Sequence, residues 1–306
     1  MALARVAVAA LIFAYLFSRI PLAEVGRILA RAAPEWVLMA VVTALGSQWL
    51  VAERLRCLVG SLGSSASTLS LFQINLAAVF YGLLLPAGNF TGVLARFYQI
   101  SRRDRAYAAT LVALALERLV ATTTLCVIGI AFWLLERPAG SWPALVLMSG
   151  ALAPLLVLHL LWATDLRLAV RLRAPVSAWW PQRLASLGEA LGRSRRLPWS
   201  LLAQVFALGI LIHLAGTLAF AMIAAALQLP LSLPTIGWTR SAALLVTVLP
   251  VSLAGLGLRE GTFVLLLTPY AVSAADALSY SLLAFAATIL GVGLLGGVLE
   301  AARLLR

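Results

Sequence analysis

Apolar positions in this chain form long blocks separated by short polar stretches, too long and too many for a soluble core. They predict spanning helices at about 3–18, 34–52, 106–135, 141–163, 199–228 and 275–300. Trp36, Trp49, Trp133, Trp142, Trp162 and Trp199 fall near the ends of these blocks, where an interfacial aromatic belt belongs. The first block, after Arg5, is followed by Ser18-Arg19-Ile20-Pro21 and no small-residue cleavage site, so it reads as an uncleaved span. Residues 21–33 form a short amphipathic helix with Arg27 and Arg31 on its polar face, suited to the interface.

Arginine bias orients the spans. The loop 164–198 carries Arg167, Arg171, Arg173, Arg183, Arg193, Arg195 and Arg196 against Asp165 and Glu189, which makes it cytoplasmic. Within it, Trp179, Trp180, Leu184, Leu187 and Leu191 suggest an interfacial helix. Arg54 and Arg56, the cluster Arg102, Arg103 and Arg105, and Arg303 and Arg306 belong to the same side, so both termini are expected to be cytoplasmic. The apolar run Leu69 to Leu85 lies between two of these basic groups, and one crossing cannot return to its own side. A re-entrant hairpin solves this: in along 69–85, broken at Pro86 to Gly92, out along 93–101. The same count makes 233–272 a second hairpin from the outer side, broken at Pro250 to Gly257.

The hairpins head similar units. A shift of 165 carries 34–135 onto 199–300, and Pro86 and Pro250 lie 164 apart. Because the hairpins open to opposite sides, the repeat is inverted, an architecture of many secondary transporters. The fold class expected is an all-α polytopic membrane protein with about six spans and two oppositely oriented re-entrant hairpins, forming one membrane domain over 1–306.

Composition agrees. Of 306 residues 63% are hydrophobic and 11% charged, against roughly 25% charged in soluble domains. The net charge of +12 comes from Arg alone, with no Lys, and lies in loops between spans. That placement suits anionic lipid and argues against nucleic acid. Cys57, Cys126, His159 and His213 sit apart in spacings that fit neither a metal nor a disulfide framework. No P-loop or nucleophile elbow is present, so the chain reads as neither an ATP-driven pump by itself nor an enzyme, and no cofactor is expected.

Charge inside the apolar blocks is the candidate chemistry. Pro250-Val-Ser-Leu-Ala-Gly-Leu-Gly-Leu-Arg-Glu-Gly261 breaks an apolar region and ends in adjacent Arg259 and Glu260. An Arg at the centre of a spanning helix costs about 2.5–3.5 kcal/mol on insertion scales. Irregular backbone there is tolerated only when buried in protein or lining a wet cavity. Gly92, Gly255 and Gly257 could free backbone N–H groups at the two breaks; Asn89, Thr91 and Ser252 could add polar contacts. Arg96 and Arg259 lie just beyond the breaks, and a guanidinium fork fits phosphate. Two alternatives stay open: Arg259 simply pairs with Glu260, and Arg96 reaches the cytoplasmic interface. Glu117 and Arg118 lie about 16 Å into their helix and point about 100° apart. Glu117 with Arg259 or Arg96, and Arg118 with Glu260, are the pairings expected, either as substrate contacts or as a structural lock. Arg240 faces the cavity or snorkels outward, and its repeat counterpart is Asn75. Gly291, Gly293, Gly296 and Gly297 read as close helix packing.

The spacing P-x-x-x-A-G-x-G-x-R-E at 250–260, with Pro86, Gly92 and Arg96 and the Glu117-Arg118 pair, resembles the membrane region of lysylphosphatidylglycerol synthases, a flippase-like family. The resemblance covers nearly the whole chain. It departs at the first break, where Asn89-Phe90-Thr91-Gly92 stands in place of a Gly-Gly-Asp-like element. The synthases carry a C-terminal aminoacyl-transfer domain; this chain ends at Arg306, so the resemblance implies translocation without synthesis. The function expected is transbilayer movement of an anionic or phosphate-linked lipid, such as a phospholipid, polyprenyl-linked glycan or hopanoid-related lipid, in a bacterial inner membrane. Arg259 would bind the phosphate, with Arg96, Arg118, Arg240, Glu117, Glu260, Asn89 and Ser252 around it. The competing readings are an ion-coupled transporter of a small polar solute, with Glu117 as its coupling carboxylate, and a non-transporting partner of a lipid- or glycan-synthesising enzyme.

Overall fold

The computed structural model describes residues 12, 14–84, 89–138, 140–163, 181–248 and 255–304. Among them there is no strand. After a helical stretch at 14–19 come α1 (Leu22–Ala30), α2 (Pro34–Ser61), α3 (Thr68–Leu84), α4 (Asn89–Asp104), α5 (Tyr107–Glu136) and α6 (Trp142–Ala163). There follow α7 (Pro181–Arg195), α8 (Trp199–Ala226), α9 (Leu233–Val248), α10 (Leu258–Leu267) and α11 (Ala274–Phe285). A π turn, Ala286–Leu290, joins α11 to α12 (Gly291–Leu304). Pro34 starts α2 at a position where its missing N–H costs nothing. Ser273 caps α11 by accepting from the Asp276 N–H at 3.0 Å.

Among the described residues five helices are long and apolar enough to cross a membrane: α2, α5, α6, α8 and the α11–α12 unit. The expected first span at 3–18 lies mostly outside the described residues. The expected boundaries match closely except in α2, which continues to Ser61 and carries Arg54 and Arg56 within the helix.

Polarity is the reverse of a soluble protein's. Leu135, Leu265 and Val298 are 71%, 72% and 65% exposed, while Arg54, Glu117, Arg259 and Glu260 are all buried. Water would penalise such a surface and lipid does not. The chain is an all-α polytopic membrane protein.

Helices α3 and α4 pack on each other, as do α9 and α10. The first pair has 17 and 16 residues and the second 16 and 10. At about 1.5 Å per residue each limb is shorter than the ~30 Å hydrocarbon core. Helix α2 packs along α8, α5 on α9, and α3 on α12. Exchanging α2 with α8, α3 with α9, α4 with α10 and α5 with the α11–α12 unit maps these contacts onto one another. Helix α7, expected at the interface, docks on α5 with Ala190 fully buried and Leu187 and Leu191 against the core. Helix α1 lays Val25 on Ala275 and Leu278 of α11, and leaves Arg27 and Arg31 exposed.

Small residues let the helices approach. A Cβ on Gly296 would strike the Leu76 carbonyl of α3, and one on Gly297 the Phe80 ring, so this glycine set is a packing face. Gly296→Ala therefore has to separate two backbones and should cost about 1–3 kcal/mol. Gly46→Ala, with open space at its Cβ, should be neutral or stabilising. Thermal unfolding of the two variants in detergent checks this.

Candidate functional site

Three helices of the first half converge on one carboxylate. Glu117 of α5 is buried and accepts from the Arg54 guanidinium of α2 at 2.5 Å through Oε1. Its other oxygen faces Nη1 of Arg96, from α4, at 3.5 Å. Arg54 is only 2% exposed, so it is neither a loop residue nor an interface anchor. Its place was legible: on a helix Glu53 and Arg56 share a face and pair with each other. Arg54 instead falls on the face of Leu50, Val51, Cys57 and Leu58. A charge alone on an apolar stripe calls for a partner on another helix.

A cavity of about 340 Å³ opens beside this cluster. Arg54, Arg96, Arg118 and Glu117 line it together with Gln48, Asn75, Gly92, Phe285 and Thr288. Three guanidinium groups against one carboxylate leave two positive charges in excess. Arg54 Nε and Nη1, Arg96 Nε and Nη2, and both polar atoms of Asn75 are buried without a hydrogen-bond partner among the described residues. Buried polar atoms in that state carry a desolvation cost of about 1–3 kcal/mol each. Unpartnered guanidinium donors beside a cavity with excess positive charge suit an anion, and their geometry favours phosphate or carboxylate. Thr288 and Ile289 reach the wall from the π turn, a helix distortion frequent at functional sites.

The second break is organised differently. Gly255 and Gly257 have φ of 77° and 82°, a region that favours glycine. Glu260 Oε2 accepts the Gly257 N–H at 2.7 Å, and Oε1 accepts from Arg259, whose Nε also lies 3.3 Å from Ser281 Oγ. Arg259 stacks on the Phe285 ring at 4.5 Å. The expected freed N–H of Gly257 is thus already used, and the Arg259–Glu260 pair closes on itself. Phe285, on which Arg259 stacks, also lines the cavity.

The remaining expectations divide. Of the expected pairings for Glu117 the one with Arg96 is found and that with Arg259 is not; Arg118 does not pair with Glu260. Arg118 lines the cavity, is exposed, and forms no ion pair among the described residues. Gly92 lies inside α4, not in a loop: its Cα faces the Ala78 carbonyl, which lets α4 approach α3. Asn89 is the first residue of α4; Pro86, Pro250 and Ser252 lie outside the described residues. Arg240 is buried elsewhere, over the Phe220 ring at 5.3 Å.

The fold and this cavity define a multi-pass membrane protein with a basic internal cavity. The chain belongs to the family described as the lysylphosphatidylglycerol synthase TM region, which it matches over residues 2–296. That description is of the membrane part of those synthases. No individually curated protein sequence matches the chain.

Glu117→Gln leaves two buried guanidinium groups without a carboxylate, a loss of about 3–5 kcal/mol by analogy with broken buried pairs. Glu53→Gln, at a partly exposed pair, should cost about 0–1 kcal/mol. Unfolding midpoints in detergent compare the two directly.

Proposed function

We propose that this chain moves an anionic or phosphate-linked lipid between leaflets, binding its headgroup in the Arg54–Arg96–Arg118 cavity. The observation that carries this is the set of unpartnered guanidinium nitrogens around a cavity with two excess positive charges. A headgroup phosphate supplies the missing acceptors while its acyl chains remain in lipid. Glu117 fixes the two buried arginines, Arg118 meets the ligand from the more open wall, and Arg259–Glu260 sets the position of Phe285. On this reading α3–α4 and α9–α10 are re-entrant hairpins of an inverted repeat, 34–135 and 199–300. Their short limbs and interchangeable packing support it. The arginine bias of the loops supports cytoplasmic termini in an inner membrane. Translocation needs no transferase chemistry, in keeping with the membrane-region family. The ion-coupled reading is weaker, because both Glu117 oxygens already face guanidinium groups.

Reconstitution with headgroup-labelled phosphatidylglycerol, read by quenching of the outer leaflet, tests this. Charge-assisted hydrogen bonds contribute about 1.5–3 kcal/mol, so Arg96→Gln or Arg118→Gln should slow transfer about tenfold or more. Arg56→Gln, exposed and paired with Glu53, should not. Unchanged rates in both cavity variants would remove this assignment.

A further inference from the structure

The cavity wall carries neutral polar groups as well as basic ones. Asn75 of α3 is 3% exposed, and neither its Oδ1 nor its Nδ2 has a hydrogen-bond partner among the described residues. Whichever way the amide is turned, it presents one donor edge and one acceptor. Gln48 and Thr288 line the same cavity. Thr288 Oγ1 donates to the Ala284 carbonyl at 2.7 Å, so what the hydroxyl has left to offer is acceptor capacity.

These groups need a different partner from the one the guanidinium forks need. Arg54, Arg96 and Arg118 only donate, so they suit phosphate oxygens. The acceptor of Asn75 needs a donor, and the phosphate of a diester has none. A hydroxyl both donates and accepts, and so matches the amide. An ammonium could supply the donor alone, and charge opposes it.

Glu117 is the only carboxylate among the described residues that line the cavity, and both of its oxygens face guanidinium groups. No negative charge is left over for a cation, and like charges repel strongly where the dielectric is low. Phe285 is the one aromatic ring among the described wall residues, and Arg259 already stacks on it. Size acts in the same sense. At about 340 Å³ the cavity lies at the low end of ligand sites, which run from about 300 to 1,000 Å³. A small headgroup fits that volume.

We propose that the cavity selects a lipid whose phosphate carries a small uncharged polyol, and that Asn75 is the residue that reads a polyol hydroxyl. This selection rests on the translocation reading and names the headgroup class of that same cavity. The guanidinium donors hold phosphate oxygens, and Asn75 exchanges a donor and an acceptor with a hydroxyl. The two excess positive charges turn away headgroups that carry an ammonium. Phosphatidylglycerol has the selected chemistry. Phosphatidylethanolamine and the lysyl ester of phosphatidylglycerol carry the rejected group.

Vesicles holding the chain and one acyl-labelled lipid at a time, read by quenching of the outer leaflet, compare these three lipids with phosphatidic acid, which has no polyol. Native mass spectrometry of the purified chain with equal amounts of phosphatidylglycerol and phosphatidylethanolamine reads the same preference in bound lipid. Phosphatidylglycerol should be moved and retained at least about tenfold better than either ammonium lipid. Asn75→Ala should slow phosphatidylglycerol about two- to tenfold, the range of one hydrogen bond, and leave phosphatidic acid unchanged. Asn75→Asp cancels one excess positive charge and should narrow the preference over phosphatidylethanolamine about tenfold. Equal handling of phosphatidylglycerol and the ammonium lipids by the unmodified chain overturns the selection without any variant. Equal slowing of phosphatidylglycerol and phosphatidic acid by Asn75→Ala overturns the role of Asn75. An unchanged preference in the near-isosteric Asn75→Asp does the same, which keeps that arm available if Asn75→Ala fails to fold. Displacement of bound lipid by an equal concentration of glycerol phosphate would assign the cavity to a free polyol phosphate and overturn the lipid. Absence of transfer for every lipid, with phosphatidylglycerol still preferred in the bound state, removes translocation and keeps the selection, so the two failures are distinguishable.

Discussion

The buried carboxylate of Glu117 is the constraint on which the first half of this protein depends. Two guanidinium groups meet it inside an apolar slab, Arg54 at 2.5 Å and Arg96 at 3.5 Å. Each ion brought there costs several kcal/mol in desolvation, and only close opposite charge returns it. At an effective dielectric near 20, one pair at about 4 Å is worth roughly 4 kcal/mol. The two contacts tie α2 and α4 to α5, and the charges that make this necessary are also the ones that line the cavity. On the proposed reading, structure and binding chemistry rest on the same atoms. The arrangement is satisfied on one side only, because one carboxylate cannot occupy the donors of two guanidinium forks.

The second half resolves the same difficulty locally. Arg259 and Glu260 are neighbours in sequence, and the sharp backbone at Gly255 and Gly257 lets the carboxylate also take an N–H of its own helix start. That cluster is closed, and the Phe285 ring on which Arg259 stacks also lines the cavity. The halves are alike in element order and packing, and unlike in where charge is left over. In the first it lines a cavity. In the second it is concentrated on Arg240, held against Gly216 and Phe220.

Much of the fold was legible because a bilayer leaves few options. Long apolar blocks have to become helices, since backbone groups cannot stay unpaired in hydrocarbon. Trp residues and arginine bias located most ends within a few residues. The error at α2 has a definite cause. Arg54 and Arg56 were read together with the basic cytoplasmic groups, yet Arg56 pairs with Glu53 on one helix face while Arg54 turns inward. Gly92 was read as a break and sits within α4, because a glycine that permits close helix approach carries the same letter as one that permits a turn.

The sequence alone determined that this is a helical membrane protein, which segments carry costly charge, and which family its motifs resemble. Those conclusions depend on composition and local spacing, and both are written along the chain. Only the tertiary structure decided which charges meet. Glu117 could have paired with Arg96 or Arg259 on sequence grounds, and Arg54 was absent from that choice. Partners of a buried ion are set by which helix faces pack together, and faces from segments more than 60 residues apart meet only in the folded bundle.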